Sequence, residues 1–366
     1  MKHQGQRNDC GRVFCLLALA LLFCAPAYAA DSSWDTDQTG KPGGPTVESR
    51  VADSINADNR NHIITAVYEN DLIGSGKDGE YTNGARLTYI DLDAEFPDWA
   101  YNIADAVPTF AINDTSSIYY SIGQNMFTPR TILSKTQDPH DRPWAGFLYA
   151  SIGMATLTDN HADEIEATLG VVGPWSLAAN TQKWIHAHVT GSPAPQGWSN
   201  QLHNEPALML AWQRSFPETW AKDIGPLSFS TTPYYGVTVG NVYTFANTGF
   251  NIRLRPGSNK WQDTPSRVRP AMPGTGFFEI PEKKWGWYLF AGIDGRAVAR
   301  NIFLDGNTFG SSYSINKYPL VADANAGFAL TYDQLRISYT LVYRTKEFHD
   351  QAAPQTFGAV SLGYRF

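Results

Sequence analysis

Leu335-Arg336-Ile337-Ser338-Tyr339-Thr340-Leu341-Val342-Tyr343-Arg344 places an apolar residue at every odd position from 335 to 343. Arg336, Ser338, Thr340 and Arg344 fall between them. Successive side chains of a strand point to opposite faces. One face of this run is therefore apolar, and the other carries arginines and hydroxyls. Lipid outside and a polar lumen inside produce this alternation in a transmembrane β-barrel. The chain ends the same way, on Val360-Ser361-Leu362-Gly363-Tyr364-Arg365-Phe366, with alternating apolar residues and a terminal aromatic. A last strand of a β-sandwich would share that pattern, so the two ends of the chain have to be read together.

The N-terminus has a basic start (Lys2, Arg7, Arg12), an apolar core from Val13 to Phe23, and Ala27-Tyr28-Ala29 as a small-x-small cleavage site. That is the three-part pattern of a secretory signal peptide, expected over residues 1–29. Cys24 suits a lipoprotein less well, because bulky Phe23 precedes it. Cys10, Cys15 and Cys24 all lie in this segment. The mature chain then holds no cysteine, hence no disulfide framework and no thiol chemistry. Export without cysteine points to a bacterial envelope protein.

The formal charge is −7, and loss of Lys2, Arg7, Arg12 and Asp9 makes it −9. So acidic a chain argues against a nucleic-acid partner. Aromatic residues reach 13%, which suits the aromatic girdles at both interfaces of a barrel. No internal apolar run is long enough to cross a bilayer as a helix. A chain embedded in a membrane must then close as a barrel, since open strands leave backbone polar groups unmet in lipid.

Residues 30–60 show little apolar periodicity and read as a flexible leader, lying in the periplasm or plugging an opening. Residues 61–366 read as one all-β domain. Further strands are expected at Tyr119–Gly123, Tyr234–Gly240 and Trp285–Ile293. At roughly 22–26 residues per strand and loop, the domain accommodates about 12 antiparallel strands, an even number as single-chain barrels have.

Two stretches carry candidate chemistry. The strand-like run Ile63–Tyr68 leads into Glu69-Asn70-Asp71, and Tyr81-Thr82-Asn83-Gly84 opens the next strand after a Gly-rich loop. Pairing these strands gathers Asn70, Asp71 and Thr82 at one rim. A carboxamide, a carboxylate and a hydroxyl so placed suit a hard cation or a positioned water. A merely solvated polar hairpin has the same composition. The second stretch, Pro174 to His188, has helical rather than alternating spacing, with Pro174 before it and Gly191 after it. On that helix Gln182 and His186 are i and i+4 and share a face, while Leu177 and Trp184 are placed toward the barrel rim. A lone histidine there either acts as a base or simply packs.

Taken together, these segments resemble the lipid A 3′-O-deacylase family of Gram-negative outer membranes, the LpxR-like proteins. The resemblance starts near residue 61. It rests on Glu69-Asn70-Asp71, Tyr81-Thr82-Asn83-Gly84, Gly123-Gln124-Asn125-Met126-Phe127-Thr128-Pro129 and Asp141-Arg142-Pro143-Trp144-Ala145-Gly146. Gly173-Pro174, the Gln182 and His186 pair, Gly197-Trp198, Gln201, Asn204-Glu205-Pro206, Arg296–Asn307 and Arg344–Phe348 continue it in order. The resemblance implies a twelve-stranded barrel, expected as a monomer, with an active site near the outer rim between the wall and a loop helix. It implies a Ca²⁺-dependent esterase that removes the 3′-linked acyloxyacyl chain of lipid A, the membrane anchor of lipopolysaccharide. Catalytic roles are carried over to His186 as general base and to Gln182, Asn70 and Thr82, with Asp71 as metal ligand. His188, His140 and His203 stand nearby as other bases.

The family's basic pair in the loop after the position of Pro129 has no clear counterpart here. Arg142, Arg130 and Lys135 are the candidates for substrate phosphates. Ordinary rim charges fit the same residues, and Arg142 also suits a carboxylate partner inside the barrel. Two rival functions remain: an outer-membrane phospholipase using Ser121, Ser176 or Ser199 as nucleophile, and a non-catalytic porin-like barrel.

Overall fold

Every strand from residue 62 onward pairs antiparallel with its neighbours. The resulting sheet runs β1 (His62–Asn70), β2 (Glu80–Asp91), β3 (Ser117–Thr128), β4 (Ala145–Leu157), β5 (Ala162–Val172), β6 (Glu205–Ser215), β7 (Trp220–Ile224), β8 (Leu227–Gly240), β9 (Tyr243–Pro256), β10 (Trp285–Asn301), β11 (Leu320–Tyr332), β12 (Leu335–Arg344) and β13 (Gln355–Arg365). The computed structural model describes residues 46–366 apart from 58, 76–79, 107–110, 159–160, 258–264, 266, 269–276 and 282–283. The signal peptide expected over 1–29 and the first half of the 30–60 leader lie outside the described residues.

Strand β1 pairs with both β2 and β13, with Ile63 opposite Arg365 and Asn70 opposite Gly358. Strand β6 pairs with β8, from Met209 opposite Gly240 to Ser215 opposite Tyr234. These ladders close a ring of twelve strands. The thirteenth, β7, pairs with the first half of β8, Trp220 opposite Thr231. Strands β6 and β7 thus follow one edge of β8 in succession, as a single wall strand broken at Phe216–Thr219. Glu218 in that break has a left-handed backbone, φ 54°. Its carboxylate receives Arg255 at 2.6 Å and Arg50 at 2.8 Å.

The alternation read from β12 holds along its length. Leu335, Ile337, Leu341 and Tyr343 are exposed, Tyr339 is half-buried, and Arg336, Ser338, Thr340 and Arg344 are buried. The exposed row faces lipid, and the buried row belongs to a charged interior. Arg86 donates to Glu166 at 2.6 Å with both side chains fully buried. Asp323 receives Arg296 at 2.7 Å and Arg344 at 2.9 Å.

The connection between β9 and β10 enters this interior. The Val268 amide donates to Glu69, and its carbonyl accepts from the Tyr149 hydroxyl at 3.1 Å. Phe277 and Phe278 are buried, and Arg336 lies 4.5 Å over the Phe278 ring. A helix α1 (Val47–Asn56) joins them, its Val51 and Ile55 buried against Ile63, Ile90, Tyr119 and Phe278. The 30–60 leader is therefore helical in its second half. Val51 and Ile55, one turn apart, supply the small apolar face that seats it.

Among the described residues four more α-helices lie at the barrel's ends: α2 (Asp71–Ser75), α3 (Asp98–Ala106), α4 (Ala178–Ile185) and α5 (Ile302–Asp305). Helix α3 seats Ala100 and Ala104 against Ile118 and Met154, near the end where β1 begins and β13 finishes.

Breaking Arg86–Glu166 from one side leaves an unmatched buried charge. Glu166→Leu alone is expected to cost about 3–5 kcal/mol, and Arg86→Met with Glu166→Leu to recover most of it. Urea unfolding of the refolded barrel measures both, and strictly additive losses would refute the coupling.

Candidate functional site

The hairpin residues stand on the outer face of the wall at the rim where β1 ends and β2 begins. Along β1, Ile63, Thr65, Val67 and Glu69 are buried, so Tyr68 and Asn70 face outward. Asn70 pairs with Asn83 across the ladder, and Asn83 pairs with Met126 of β3. Between Tyr81 and Asn83 the register shifts, and Thr82 is the extra residue of that bulge. Such bulges re-aim neighbouring side chains at sheet edges. The description of Glu80, Tyr81 and Thr82 covers their backbone alone. Asn83 donates to the Tyr68 hydroxyl at 2.8 Å, and Asn70 donates to it at 3.4 Å. Asp71 opens α2 directly after β1 and is buried. Instead of an open loop, the chain there turns through one short helix whose Gly74 lies on the backbone of Phe357 and Gly358. A side chain at Gly74 would collide with that backbone.

The second half of the site is the connection between β5 and β6. A 3-10 turn at Pro174–Ser176 precedes α4, and a π-helical turn at His186–Thr190 follows it. The chain then reverses at Gly191, φ 68°. The single helix expected over Pro174–His188 is thus three pieces, because Leu177 takes a left-handed conformation and the last turn widens. π turns of this kind often occur at functional positions.

Helix α4 packs on the outside of the wall. Met126 faces outward yet is only 1% exposed, covered by Ala178, Trp144 and Trp198. Gly146 makes the close approach possible, since a Cβ there would meet Ser176 and Ala178.

Gln182 and His186 lie on this wall-facing side, both buried. The returning chain holds each of them. Trp198 Nε1 donates to Gln182 Oε1 at 2.7 Å. His186 Nδ1 lies 2.7 Å from the Pro193 carbonyl oxygen. A carbonyl only accepts, so Nδ1 carries the proton and Nε2 is the basic nitrogen. Gln182 Nε2 is buried and has no partner among the described residues. Trp198 is fixed in turn by Trp144, 5.1 Å away edge to face, and Trp144 occupies the space a Cβ on Gly197 would need.

Asn70, Asn83 and Met126 form one outward row across three strands, spanning roughly 10 Å at the usual strand spacing. The hairpin and the helix face are thereby neighbours on one rim. Tyr68, Asn83, Pro193 and Trp198 are the additions that sequence reasoning missed. Tyr68 left a positional signal, two residues before Asn70 and so on the same face, and Asn83 and Trp198 stood within the segments that carry the family resemblance.

Two other expectations change. Arg142 is fully buried inside the barrel, 3.3 Å from Glu347 and over the rings of Phe127 and Phe348. It is a lumen residue, placed on the opposite side of the wall from Asn70 and Met126. Burial pushes the Glu347 carboxyl up, but Arg344, Arg142 and Arg296 together hold it below the usual range. Arg130 and Lys135 remain exposed on the β3–β4 loop, which Asn200 ties to the helix loop through the Lys135 carbonyl at 2.8 Å. Leu177 and Trp184 turn away from the barrel and are 54% and 58% exposed. His188 lies beside them, stacked on Trp184. His140 is exposed on the β3–β4 loop, and His203 is exposed at the end of the β5–β6 connection.

The family profile described as outer membrane protein LpxR matches residues 15–366. The chain belongs to the LpxR family. Among solved structures, LpxR from Salmonella typhimurium superposes with a TM-score of 0.67 at 18% identity, covering 83% of this chain and 100% of that one. This fixes the fold of the LpxR-family chain as a twelve-stranded outer-membrane barrel. The β domain of the Bordetella autotransporter BrkA gives 0.41 at 7% identity over 83% and 98% of the two chains. The translocator domain of NalP from Neisseria meningitidis gives 0.39 at 9% over 87% and 94%. No curated protein matches the sequence.

Trp198→Phe removes the donor to Gln182 and leaves a buried oxygen unmet, at a cost of about 1–3 kcal/mol. Amide exchange across Ala178–Ile185 should quicken by roughly tenfold or more, while global unfolding of the barrel stays put. Unchanged exchange would remove Trp198 from the clamp.

Proposed function

We propose that this protein hydrolyses the ester that joins the 3′ acyloxyacyl chain to lipid A, with His186 as general base. The observation that carries the reading is the His186 imidazole, held by Pro193 in the tautomer that leaves Nε2 basic, on a helix packed against the lipid side of the barrel.

The surroundings suit such a substrate. Below the Asn70 and Asn83 row, the outer wall has a hollow of about 590 Å³ lined mainly by Ala66, Ala85, Leu87, Ile122, Leu148 and Leu362. Small Ala66 and Ala85 among larger neighbours make the depression. An ester at the polar row and its hydrocarbon in the hollow match a lipid held at the membrane boundary.

In the proposed reaction, His186 Nε2 takes a proton from water as the oxygen adds to the ester carbonyl. The tetrahedral intermediate then collapses, His186 returns the proton to the departing sugar oxygen, and a free fatty acid leaves. Gln182 Nε2–H is the buried donor that suits the developing oxyanion.

The hairpin offers oxygen donors alone: the Asp71 carboxylate with the amide oxygens of Asn70 and Asn83. That set fits a hard cation such as Ca²⁺ better than zinc. No group of three His, Cys, Asp or Glu residues gathers among the described residues, so backbone, water or substrate oxygens would complete a shell. Bound there, Ca²⁺ would supply positive charge beside the ester carbonyl. With a single carboxylate the affinity should be weak, half-saturating at about 0.1–1 mM. Arg130 and Lys135 are the remaining candidates for the lipid A phosphates.

The rival readings have less support. A porin needs an open lumen, whereas residues from α1 and the β9–β10 connection occupy this one. Ser121 is buried in the lumen with Arg86, and Ser176 donates to the Gly173 carbonyl at 2.6 Å. No serine pairs with a histidine among the described hydrogen bonds.

Mass spectrometry of lipid A from expressing cells tests the proposal. Loss of the 3′ acyloxyacyl group is expected, reduced on the order of a hundredfold or more by His186→Ala or Asp71→Ala. Unaltered lipid A despite confirmed surface expression would sink it. A Ca²⁺ titration in chelator-treated membranes that shows no metal response would remove the cation from the scheme.

A further inference from the structure

We infer that the outward face of α4 is a membrane-docking surface, seated in the boundary region of the leaflet that surrounds the outer rim. Leu177, Thr181, Trp184 and His188 recur at i, i+4, i+7 and i+11, a single stripe on a helix. Gln182 and His186 occupy the opposite side, so the helix has one face for the wall and another that is largely exposed among the described residues. Trp175, just before the helix, is 71% exposed, beside Leu177 at 54% and Trp184 at 58%.

The height of the helix identifies the occupant. Helix α4 rests on Met126, whereas α3 rests on Ile118 of the same strand. Eight residues of strand separate these positions, about 26 Å along the strand. Tilted by roughly 40°, this is about 20 Å along the barrel axis, close to the height of a barrel's apolar band. The two helices therefore bracket that band. Helix α3 likewise exposes Trp99 and Tyr101, at 52% and 49%. Tryptophan and tyrosine gather at both membrane interfaces because their rings are apolar with one polar edge. The stripe also continues the lipid-facing wall, where Leu169 and Leu208 pair across β5 and β6 at 65% and 61% exposure.

Leu177 adds an independent argument. Its φ of 60° lies in the left-handed region that favours glycine or asparagine. A bulky apolar residue there is strained, and more than half of its surface is left uncovered by the described residues. Lipid contact accounts for a leucine at that position.

All three cysteines precede residue 25, so single spin labels can be placed without removing any cysteine from the exported chain. Trp184→Cys, Leu177→Cys, Leu208→Cys as lipid control and His140→Cys as water control are labelled in the refolded barrel in phospholipid bilayers. Unheated gel migration verifies folding of each variant. Labels at 177 and 184 should favour oxygen over a nickel chelate several-fold relative to His140→Cys, approaching Leu208→Cys. An oxygen-to-nickel ratio at both positions equal to that of His140→Cys would overturn the inference. The readout is independent of enzymatic activity.

Discussion

Hydrocarbon offers no hydrogen-bond partners, so every strand in the wall must find both of its neighbours within the chain. The pairing of β1 with β13 and of β6 with β8 meets that demand. Closure in turn sorts odd and even residues to lipid and lumen, and arginines such as Arg86, Arg336 and Arg344 must be matched inside. The carboxylates and the inward segments of the chain do the matching. Closure also fixes where chemistry on a membrane lipid has room to occur. Residues of α1 and of the β9–β10 connection enter the lumen, which leaves the outer face of the rim for the proposed chemistry.

That face is assembled from two parts of different rigidity. The hairpin of Asn70, Asp71 and Asn83 grows directly out of the wall and inherits its register. Gln182 and His186 stand on a helix whose position depends on the returning chain. Pro193 fixes the imidazole, Trp198 fixes the carboxamide, and Trp144 against Gly197 fixes Trp198. Each link restricts the next, and a change at the far end should reach His186 without touching it.

The barrel itself was legible because period-two alternation is a local signal. Leu335–Arg344 declares its two faces without help from distant residues, and the charge of its inner face already implies partners there. The Asn70 and Asp71 hairpin was legible for the same reason, since adjacent strands bring its ends together. The clamp was not, because Gln182 and Trp198 meet across an irregular loop with no period. Arg142 shows the same limit. The Asp-Arg-Pro-Trp run reads equally well as rim or lumen, and only the path of the chain after Thr128 sends its guanidinium to Glu347. The helix at Val47–Asn56 left no clear trace because Val47, Val51 and Ile55 are its only large apolar residues, too few to stand out from a polar segment.

Leu177 and Trp184 test how far amphipathic reasoning extends at a membrane. In water, the apolar stripe of a helix is expected to face protein, which directs these two residues toward the barrel. Beside a bilayer there are two apolar surroundings, and the polar residues have to decide. Gln182 and His186 can meet their hydrogen-bond partners only where Trp198 and Pro193 return, which is the wall side. The stripe is then left to face outward. Orientation of α4 therefore follows from where its polar groups are satisfied, and its apolar face takes the side that remains.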